Sequence, residues 1–208
     1  MAQAYTTSGA AGFGIKEVAD VGFYEVGTVS VDENGAVTAG TPLFVLDTLK
    51  VSTIENTAEQ ADAKGGKGNA PLIIWDYGRE ITITLQDAVL TQETLSMMFE
   101  GNAKEADNEI VISANTFPGT YSVVGKTFAR DINGKDSLFT WYVPKAKVNS
   151  EVTLTMEAEG DPTVFDMNLR VLRDSDGTMV KLIRDVSATA ETNARAYDPT
   201  TAFEKAST

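Results

Sequence analysis

The stretch Arg79–Asp87 reads REITITLQD and alternates apolar with polar side chains through its middle. In an extended chain Ile81, Ile83 and Leu85 lie on one side, and the polar residues between them lie on the other. This alternation is typical of a β-strand with one face on a core and the other face outward. Because Glu151–Glu159 (EVTLTMEAE) repeats the pattern, we expect antiparallel sheets that pack through their apolar faces.

Similar strand patterns surround this stretch, separated by short turn signals. Asn34-Gly35 and Asn133-Gly134 are hairpin signals, because Asn and Gly tolerate a positive φ. About ten strands with one short helix indicate a β-sandwich or an open barrel. The predicted fold is mainly β, a two-sheet antiparallel β-sandwich with one short α-helix and extended termini. The predicted strands are Gly22–Val31, Leu43–Thr57 with a bend near Asp47–Thr48, Pro71–Tyr77, Arg79–Asp87, Glu109–Ala114, Tyr121–Arg130, Ser137–Val143, Glu151–Glu159, Val164–Arg173 and Thr178–Arg184.

One segment changes from strand periodicity to helix periodicity. In TQETLSMMFEG the apolar residues Leu95, Met98 and Phe99 recur at the spacing of a helical stripe. Thr91 is a suitable N-cap, and Gly101 is a suitable residue to end the helix. We therefore expect Leu95, Met98 and Phe99 to dock a short helix onto the sandwich.

Three further segments lack the apolar residues that a core needs. Residues 1–20 are small and polar and are predicted to be an N-terminal arm, and residues 185–208 a C-terminal extension of the sandwich domain at residues 21–184. Ala58–Ala70 has no apolar residue larger than alanine and is predicted to be an exposed, mobile loop. The basic centre of this loop is interpreted as an assembly segment that orders against an acidic neighbour, such as another copy of the chain. Its residues are Lys64, Gly65, Gly66, Lys67 and Gly68.

The composition excludes several classes of function. The chain has 208 residues, no cysteine and no histidine, which removes disulfides, ordinary zinc sites and Ser-His-Asp or Cys-His catalysis. Its formal net charge of −13 disfavours binding to nucleic acid and to anionic membranes. The sequence shows no signal peptide and no apolar run long enough to span a bilayer. We expect no cofactor, no metal, no enzymatic activity, no membrane binding, and maturation in a cytoplasm.

Three local patterns resemble functional motifs but have simpler explanations. Gly119–Thr127 (GTYSVVGKT) has one residue too many between its glycines for a phosphate-binding loop, and it is predicted to be a strand with a glycine at a bulge. Asp174–Gly177 begins like a calcium loop, but a hairpin turn explains it. Paired carboxylates could hydrolyse glycosides beside an aromatic platform, yet the strand aromatics are expected in the core. They are Trp75, Tyr77, Phe139, Trp141 and Tyr142.

Two long runs resemble the major tail protein, the tail-tube subunit, of long-tailed bacteriophages. In Glu55–Gly101 a polar loop leads to a short strand, then to a strand with a Thr-rich polar face, then to a short helix ending in Gly. In Ser137–Ile183 a strand carrying Pro-Lys precedes two long amphipathic strands and a final hairpin. The resemblance covers about Val21–Arg184 and implies two packed sheets with a helix at one side, as also in type VI secretion tube proteins.

The resemblance also implies how such subunits assemble and which partners they have. Hexameric rings stack head to tail, and one sheet of each subunit joins its neighbours in a continuous β-barrel. The bore holds the tape measure protein before infection and passes DNA during ejection. The tail terminator and baseplate hub proteins are further implied partners. The implied location is the virion tail, assembled in the cytoplasm of the host bacterium.

Two polar strand faces are candidates for the lining of such a bore. In a sandwich the apolar face of a strand meets the core, so the polar face of the inner sheet looks into the bore. Carboxylates and hydroxyls there would repel DNA phosphates and prevent tight binding, although the same faces could instead form the exterior of the tube. The candidate residues are Glu80, Thr82, Thr84 and Gln86, with Glu151, Thr153, Thr155, Glu157 and Glu159 as a second set.

Two other classes of function stay open at this point. One is a carbohydrate-binding or receptor-binding β-sandwich module of a virion or cell surface, which should expose several aromatic side chains. The other is a glycosidase-like enzyme, which needs a catalytic constellation that the sequence does not offer. The sequence favours the structural, tube-forming function over both.

Overall fold

The computed structural model describes residues 12–15, 20–32, 37–38, 40–89, 91–98, 103–104, 109–110, 114–115, 117–149 and 165–185. These residues form many β-strands and one short helix, in agreement with the predicted mainly β fold. The elements are β1 (Phe13–Ile15), β2 (Asp20–Glu25), β3 (Ser30–Val31), β4 (Val37–Thr38), β5 (Phe44–Leu46), β6 (Leu49–Gly65), β7 (Ala70–Asp87), α1 (Gln92–Met98), β8 (Ala103–Lys104), β9 (Glu109–Ile110), β10 (Thr120–Asp131), β11 (Asp136–Val148), β12 (Phe165–Val171) and β13 (Lys181–Asp185).

Nine of the strands that the structure describes belong to one antiparallel hydrogen-bonded sheet. Its order is β5-β2-β10-β11-β12-β7-β6, with β1 beside β10 and β13 beside β11. β11 forms the corner of this sheet, because residues 138–142 pair with β13 and residues 146–148 pair with β12. The two predicted sheets are therefore two layers that β11 joins by hydrogen bonds.

The two layers face each other across a common apolar core. Ile83, Leu85 and Leu169 come from β7 and β12, whereas Phe23 and Val143 come from β2 and β11, and all five belong to one buried cluster. Packing two sheet faces through their apolar residues is the arrangement of a β-sandwich. The predicted fold class is confirmed.

The opposite face of β2, β10 and β11 carries a second, smaller cluster. Tyr24, Val124 and Tyr142 are buried there together with Val29, which lies just before β3. The Tyr142 hydroxyl donates a hydrogen bond to the Val29 carbonyl oxygen at 2.9 Å. Burial raises the pKa of Tyr24 to about 12. This side of the sheet is therefore covered by the chain itself.

A glycine in β10 admits a tryptophan to the core. Gly125 lies directly opposite Trp141 of β11, and a Cβ atom at position 125 would overlap the Trp141 indole. Trp141 is buried in the main cluster. Gly119–Thr127 contributes to a strand, as predicted, but the register shift lies between Tyr121 and Val123 and not at Gly125. The glycine serves a close side-chain approach instead of a bulge.

The helix α1 docks on the core through two methionines. Met98 is buried as predicted, Leu95 is half-buried, and Met97 is a fully buried residue that the predicted stripe missed. The Thr94 amide donates to the Thr91 hydroxyl at 3.1 Å, which confirms the predicted N-cap. Phe99 and Gly101 lie outside the described residues.

We expect Met98→Ala to lower the free energy of unfolding by about 2–5 kcal/mol, because it leaves a cavity beneath α1. Met98 is 1% exposed and belongs to the main core cluster. The urea midpoint of the purified chain measures the change. Val89→Ala is the control, since Val89 is 51% exposed and its truncation should shift the midpoint little. Equal midpoints for the two variants would contradict the docking of α1.

Ala58–Ala70 is not the loop that the sequence predicted. Residues 59–65 continue β6 and pair with residues 70–77, so the two strands form one long hairpin with a tight turn at 66–69. The small, polar side chains of this segment provide little apolar packing, and their intrinsic β-propensity is weak. Backbone hydrogen bonds to the opposite strand nevertheless stabilise the segment as a strand. The predicted exposure of the segment is confirmed.

Several predicted strand limits also differ from the structure. The predicted strand Gly22–Val31 is interrupted after β2, where the Thr28 amide donates to the Glu25 carbonyl at 3.2 Å and Gly27 adopts a φ of 86°. Only Glu109–Ile110 of Glu109–Ala114 is a described strand, and residues 114–115 are a turn. The sheet also extends into the predicted N-terminal arm, because β1 pairs with β10. Glu151–Glu159 lies outside the described residues.

Candidate assembly surfaces

The alternation of Arg79–Asp87 produces the two faces that the sequence predicted. Ile81, Ile83 and Leu85 are buried in the core. On the other side Glu80 is exposed, and the next three alternate residues are half-buried. We call this outward surface of β12, β7 and β6 the polar face.

Side chains of β12 complete the polar face beside β7. Thr84 donates to Asn168 Oδ1 at 2.9 Å, and Gln86 Nε2 donates to Asp166 Oδ1 at 2.9 Å. The Arg170 guanidinium lies 3.0 Å from Glu80 Oε1. Sequence reasoning missed these partners, although the alternation of polar residues within Val164–Arg173 was a usable signal.

These contacts change the expected electrostatics of the polar face. Glu80 is paired with Arg170, and Lys147 of β11 lies directly opposite Arg170. The surface is therefore mixed in charge and largely hydrogen-bonded within itself, instead of uniformly acidic. Hydrogen-bond donors and a guanidinium that already have partners bind a passing polyanion less readily. The second predicted set lies outside the described residues: Glu151, Thr153, Thr155, Glu157 and Glu159.

The end of the β6–β7 hairpin carries an apolar surface that the described part of the chain leaves exposed. We call residues 58–78 the hairpin arm. Trp75 and Tyr77 are each 53% exposed, and the exposed fractions of the neighbouring apolar side chains range from 52% to 70%. Soluble monomers rarely expose contiguous apolar patches of this kind outside interaction sites. The exposed apolar residues of the arm are Leu72, Ile73, Ile74, Trp75 and Tyr77.

A bulge at Gly78 determines which way these side chains point. The register moves from the pair Thr57–Glu80 to the pair Glu59–Tyr77, so β7 has one residue more than β6 at this point. Gly78 adopts a φ of 59°, which favours glycine. One extra residue exchanges the two faces of a strand beyond it. Tyr77 therefore lies on the same side of the sheet as the polar face. The other odd-numbered residues Ile81, Ile83 and Leu85, on the far side of the bulge, point into the core.

The predicted assembly segment lies at the tip of the hairpin arm. Lys64 and Gly65 end β6, and Lys67 lies in the turn between two glycines that have positive φ. Lys64 Nζ is 3.6 Å from Asp62 Oδ2. The turn residues are Gly66, Lys67, Gly68 and Asn69. The tip is thus an exposed turn at the far end of an apolar arm.

The strand aromatics divide into two groups. Phe139, Trp141 and Tyr142 are buried, as predicted. The expectation that Trp75 and Tyr77 lie in the core is wrong, because the part of β7 that carries them extends beyond the second layer of the sandwich. An aromatic surface that the sequence did not predict is therefore present on the arm.

The local motifs have structural explanations in the described part of the chain. Asp174–Gly177 is a tight turn, in which the Gly177 amide donates to the Asp174 carbonyl at 3.1 Å. The predicted hairpin is wrong, because β12 and β13 on either side of this turn both pair with β11 and not with each other. Hydrogen bonds from Thr178 hold the pKa of Asp176 below its usual value. Within the described residues no group of carboxylates could hold a metal ion. Nor does any described helix have the length and apolar character to cross a membrane.

A comparison with protein families identifies a family that covers most of the chain. The model of the family described as YomU/Tube protein family matches residues 13–105 and 100–184. These two stretches overlap and together run from β1 into β13, so they include the sheet, the polar face and the hairpin arm. A search of the curated proteins finds no match.

Proposed function

The chain belongs to the YomU/Tube protein family, and we propose that it assembles into stacked hexameric rings that form the tail tube of a bacteriophage. In this proposal the tube is the conduit for DNA ejection and holds the tape measure protein beforehand. The tail terminator and baseplate hub proteins bind its ends, and assembly takes place in the host cytoplasm. Membership of this family supports a tube-type structural role for the chain.

The main support for the proposal is the exposed apolar surface of the hairpin arm. Its apolar residues extend beyond the sandwich and belong to neither core cluster of the described residues. Burial of apolar surface against another copy would stabilise an assembly by about 25 cal/mol per Å². A contact between an arm and a different surface of the next copy is heterologous, and contacts of this kind generate rings and tubes.

The open edges of the sheet support the same function. β5 and β6 are the first and last strands of the main order among the described residues, and β1 and β13, which lie beside this order, also pair on one side only. A long end strand such as β6 presents backbone groups that can pair with another chain, and closure into a barrel removes such edges. We propose that neighbouring copies close the ring along these edges, with the polar face directed into the bore.

Electron microscopy of the purified full-length chain tests the proposed function. Size-exclusion chromatography should give large oligomers, and negative staining should show hollow tubes or stacked rings. A chain that stays monomeric over a wide range of concentrations and salt would contradict the proposal. So would particles without an axial channel.

The bore position of the polar face predicts a salt-dependent effect on DNA passage. We expect Glu80→Lys with Asp166→Lys to leave tubes intact and to slow DNA ejection several-fold at low salt, because the new cations attract phosphates. The effect should shrink as the ionic strength rises, since screening shortens the range to ~10 Å at 0.1 M. Ejection rates from assembled virions measure it.

The neutral variant Glu80→Gln with Asp166→Asn is the matched control for this experiment. It removes the same two carboxylates without adding cations, so ejection should stay much closer to the native rate. If the lysine variant ejects DNA at the native rate at every salt concentration, the polar face does not line the bore.

A carbohydrate-binding or receptor-binding role is the second candidate, and one observation favours it. Trp75 and Tyr77 share one side of the hairpin arm and are both half exposed, as an aromatic surface for sugar stacking would be. Glycan binding by a monomer that forms no tubes, lost in Trp75→Ala, would select this role. Tube formation without glycan binding would exclude it.

A further inference from the structure

The sheet divides beside the base of the hairpin arm. β12 pairs with β7 only as far as Thr82. Beyond this point the chain after β12 stays beside β11, because the Leu172 amide donates to the Lys145 carbonyl oxygen at 2.8 Å, whereas β7 continues into the arm with β6. No described strand pairs with the other side of β7 from Ala70 to Ile81. The backbone of β7 is therefore open to a further strand on this side.

A depression of ≈ 830 Å³ lies where β12 and β7 separate, and we call it the notch. Its lining includes Leu172 and Met179, which are both half-buried. Met179 packs against the main core cluster. The notch thus offers apolar contacts directly beside the open side of β7.

Positive charge predominates in the notch. Arg79, Lys147 and Arg173 line it, and none of the three has an ion pair with a described residue. Arg170 also lines it and is paired with Glu80, which is the only carboxylate among the described lining residues. In a chain with a net charge of −13, this local excess of cations is complementary to a negatively charged partner.

These features together select the chemistry of the partner. A guanidinium binds a carboxylate through two parallel hydrogen bonds, and an open strand edge binds an extended peptide through its backbone. Leu172 and Met179 suit a peptide in which apolar residues flank the carboxylates. A DNA duplex is too wide to enter a depression of this volume, and it offers little apolar surface along its phosphates.

We propose that the notch and the open side of β7 form one binding site for an extended acidic peptide segment of another protein. The segment adds a strand to β7 in line with β12, its carboxylates bind Arg79 and Arg173, and its apolar residues contact Leu172 and Met179. The proposal rests on the proposed tube function only for the source of the segment. Thr82 of the polar face also lines the notch, so in a tube the segment belongs to a protein that the bore holds.

Fluorescence anisotropy with a labelled synthetic peptide tests the site. The probe is a short blocked peptide that alternates glutamate with valine, and the same peptide with lysine in place of glutamate is its matched control. We expect saturable binding of the glutamate peptide alone, and binding should weaken as salt rises, because the contacts are charged. Hydrogen exchange should slow within Ala70–Ile81 when this peptide binds and stay unchanged in β13.

Two variants should change the affinity in opposite directions. Arg79→Gln with Arg173→Gln removes two cations and should raise the Kd for the glutamate peptide at least about tenfold. Glu80→Gln removes the carboxylate of the notch and should lower the Kd. Lys50→Gln with Lys135→Gln is the control, because it removes two exposed cations outside the notch and should leave the Kd unchanged. Circular dichroism checks that each variant is folded.

Several results would overturn the site. They are equal affinity for the two peptides, a native Kd in the double arginine variant, and no change of exchange in β7. A single-stranded oligonucleotide that binds as tightly as the glutamate peptide would overturn the assignment to a peptide. In an assembled tube, a strand of a second copy on the open side of β7 would also overturn it.

The same samples separate this site from the tube function. If the chain binds the glutamate peptide but forms no tubes, the site stands and the tube function fails. If the chain forms tubes but neither the tubes nor the free chain bind the peptide, the site alone is overturned. A chain that does neither would overturn both.

Discussion

Replacing Ile73, Trp75 and Tyr77 together by threonine should abolish tube formation while the subunit stays folded. Each side chain is about half exposed in one copy, and burying the remaining half of such a group contributes about 1 kcal/mol. Loss of ~3 kcal/mol at each contact weakens association by roughly 10²-fold. Threonine keeps the β-propensity of the strand, so the hairpin itself should persist. Electron microscopy and sedimentation measure assembly, and circular dichroism checks the fold.

Three exposed apolar residues outside the hairpin arm provide the matched control. Val89, Ile132 and Leu182 are 51%, 79% and 61% exposed, and their replacement by threonine also removes exposed apolar surface while keeping the β-propensity of each position. This control should still form tubes. Tubes of native abundance from the arm variant, or equal loss in both variants, would show that the arm is not the specific assembly surface.

Gly125→Ala should cause the largest loss of subunit stability, about 3–5 kcal/mol, similar to the loss of a buried tryptophan. An alanine Cβ at this position overlaps the Trp141 indole, which is packed in the main core cluster. The strand must separate from β11, or the indole must leave the core. The free energy of unfolding in urea measures the effect.

Two further variants show whether the indole is the cause. Gly14→Ala is the control, because a Cβ at position 14 of β1 meets no atom within 4 Å, and it should leave stability nearly unchanged. In Gly125→Ala with Trp141→Leu the two effects should be clearly less than additive, since the smaller side chain removes the overlap. Additive losses, or a stable Gly125→Ala chain, would contradict this account of the core.

The sandwich was predictable wherever one strand face is buried. In Arg79–Asp87 the period of two is set by the strand alone, so the sequence already shows which residues reach the core. Thr91 was also predictable, because an N-cap needs only its own hydroxyl and an amide a few residues along the chain. Local signals of this kind require no knowledge of partner strands.

The hairpin arm was not predictable in this way. Residues 58–65 have no apolar alternation, and they become strand because Pro71–Tyr77 pairs with them. The sequence also could not reveal that one extra residue at Gly78 exchanges the faces of β7. Trp75 and Tyr77 therefore looked like core residues. Their exposure depends on how far β7 extends beyond β12, which is a property of the whole sheet.

The polar face was predicted in part. Glu80, Thr82, Thr84 and Gln86 lie together as expected, whereas their direction into a bore remains a proposal. Their partners on β12 were missed because strand order, unlike strand periodicity, is not visible in one sequence. Arg170 changes the interpretation most, since its ion pair with Glu80 makes the surface mixed in charge.

A cryo-electron microscopy map of the assembled chain tests the central claim most directly. It should show six copies in each ring, a closed β-barrel around an axial channel, and Thr84 with Gln86 on the channel wall. In the same map Ile73, Trp75 and Tyr77 of each hairpin arm should be buried against another copy. A particle without a through-channel, or tubes whose arms lie free on the outer surface, would contradict the account.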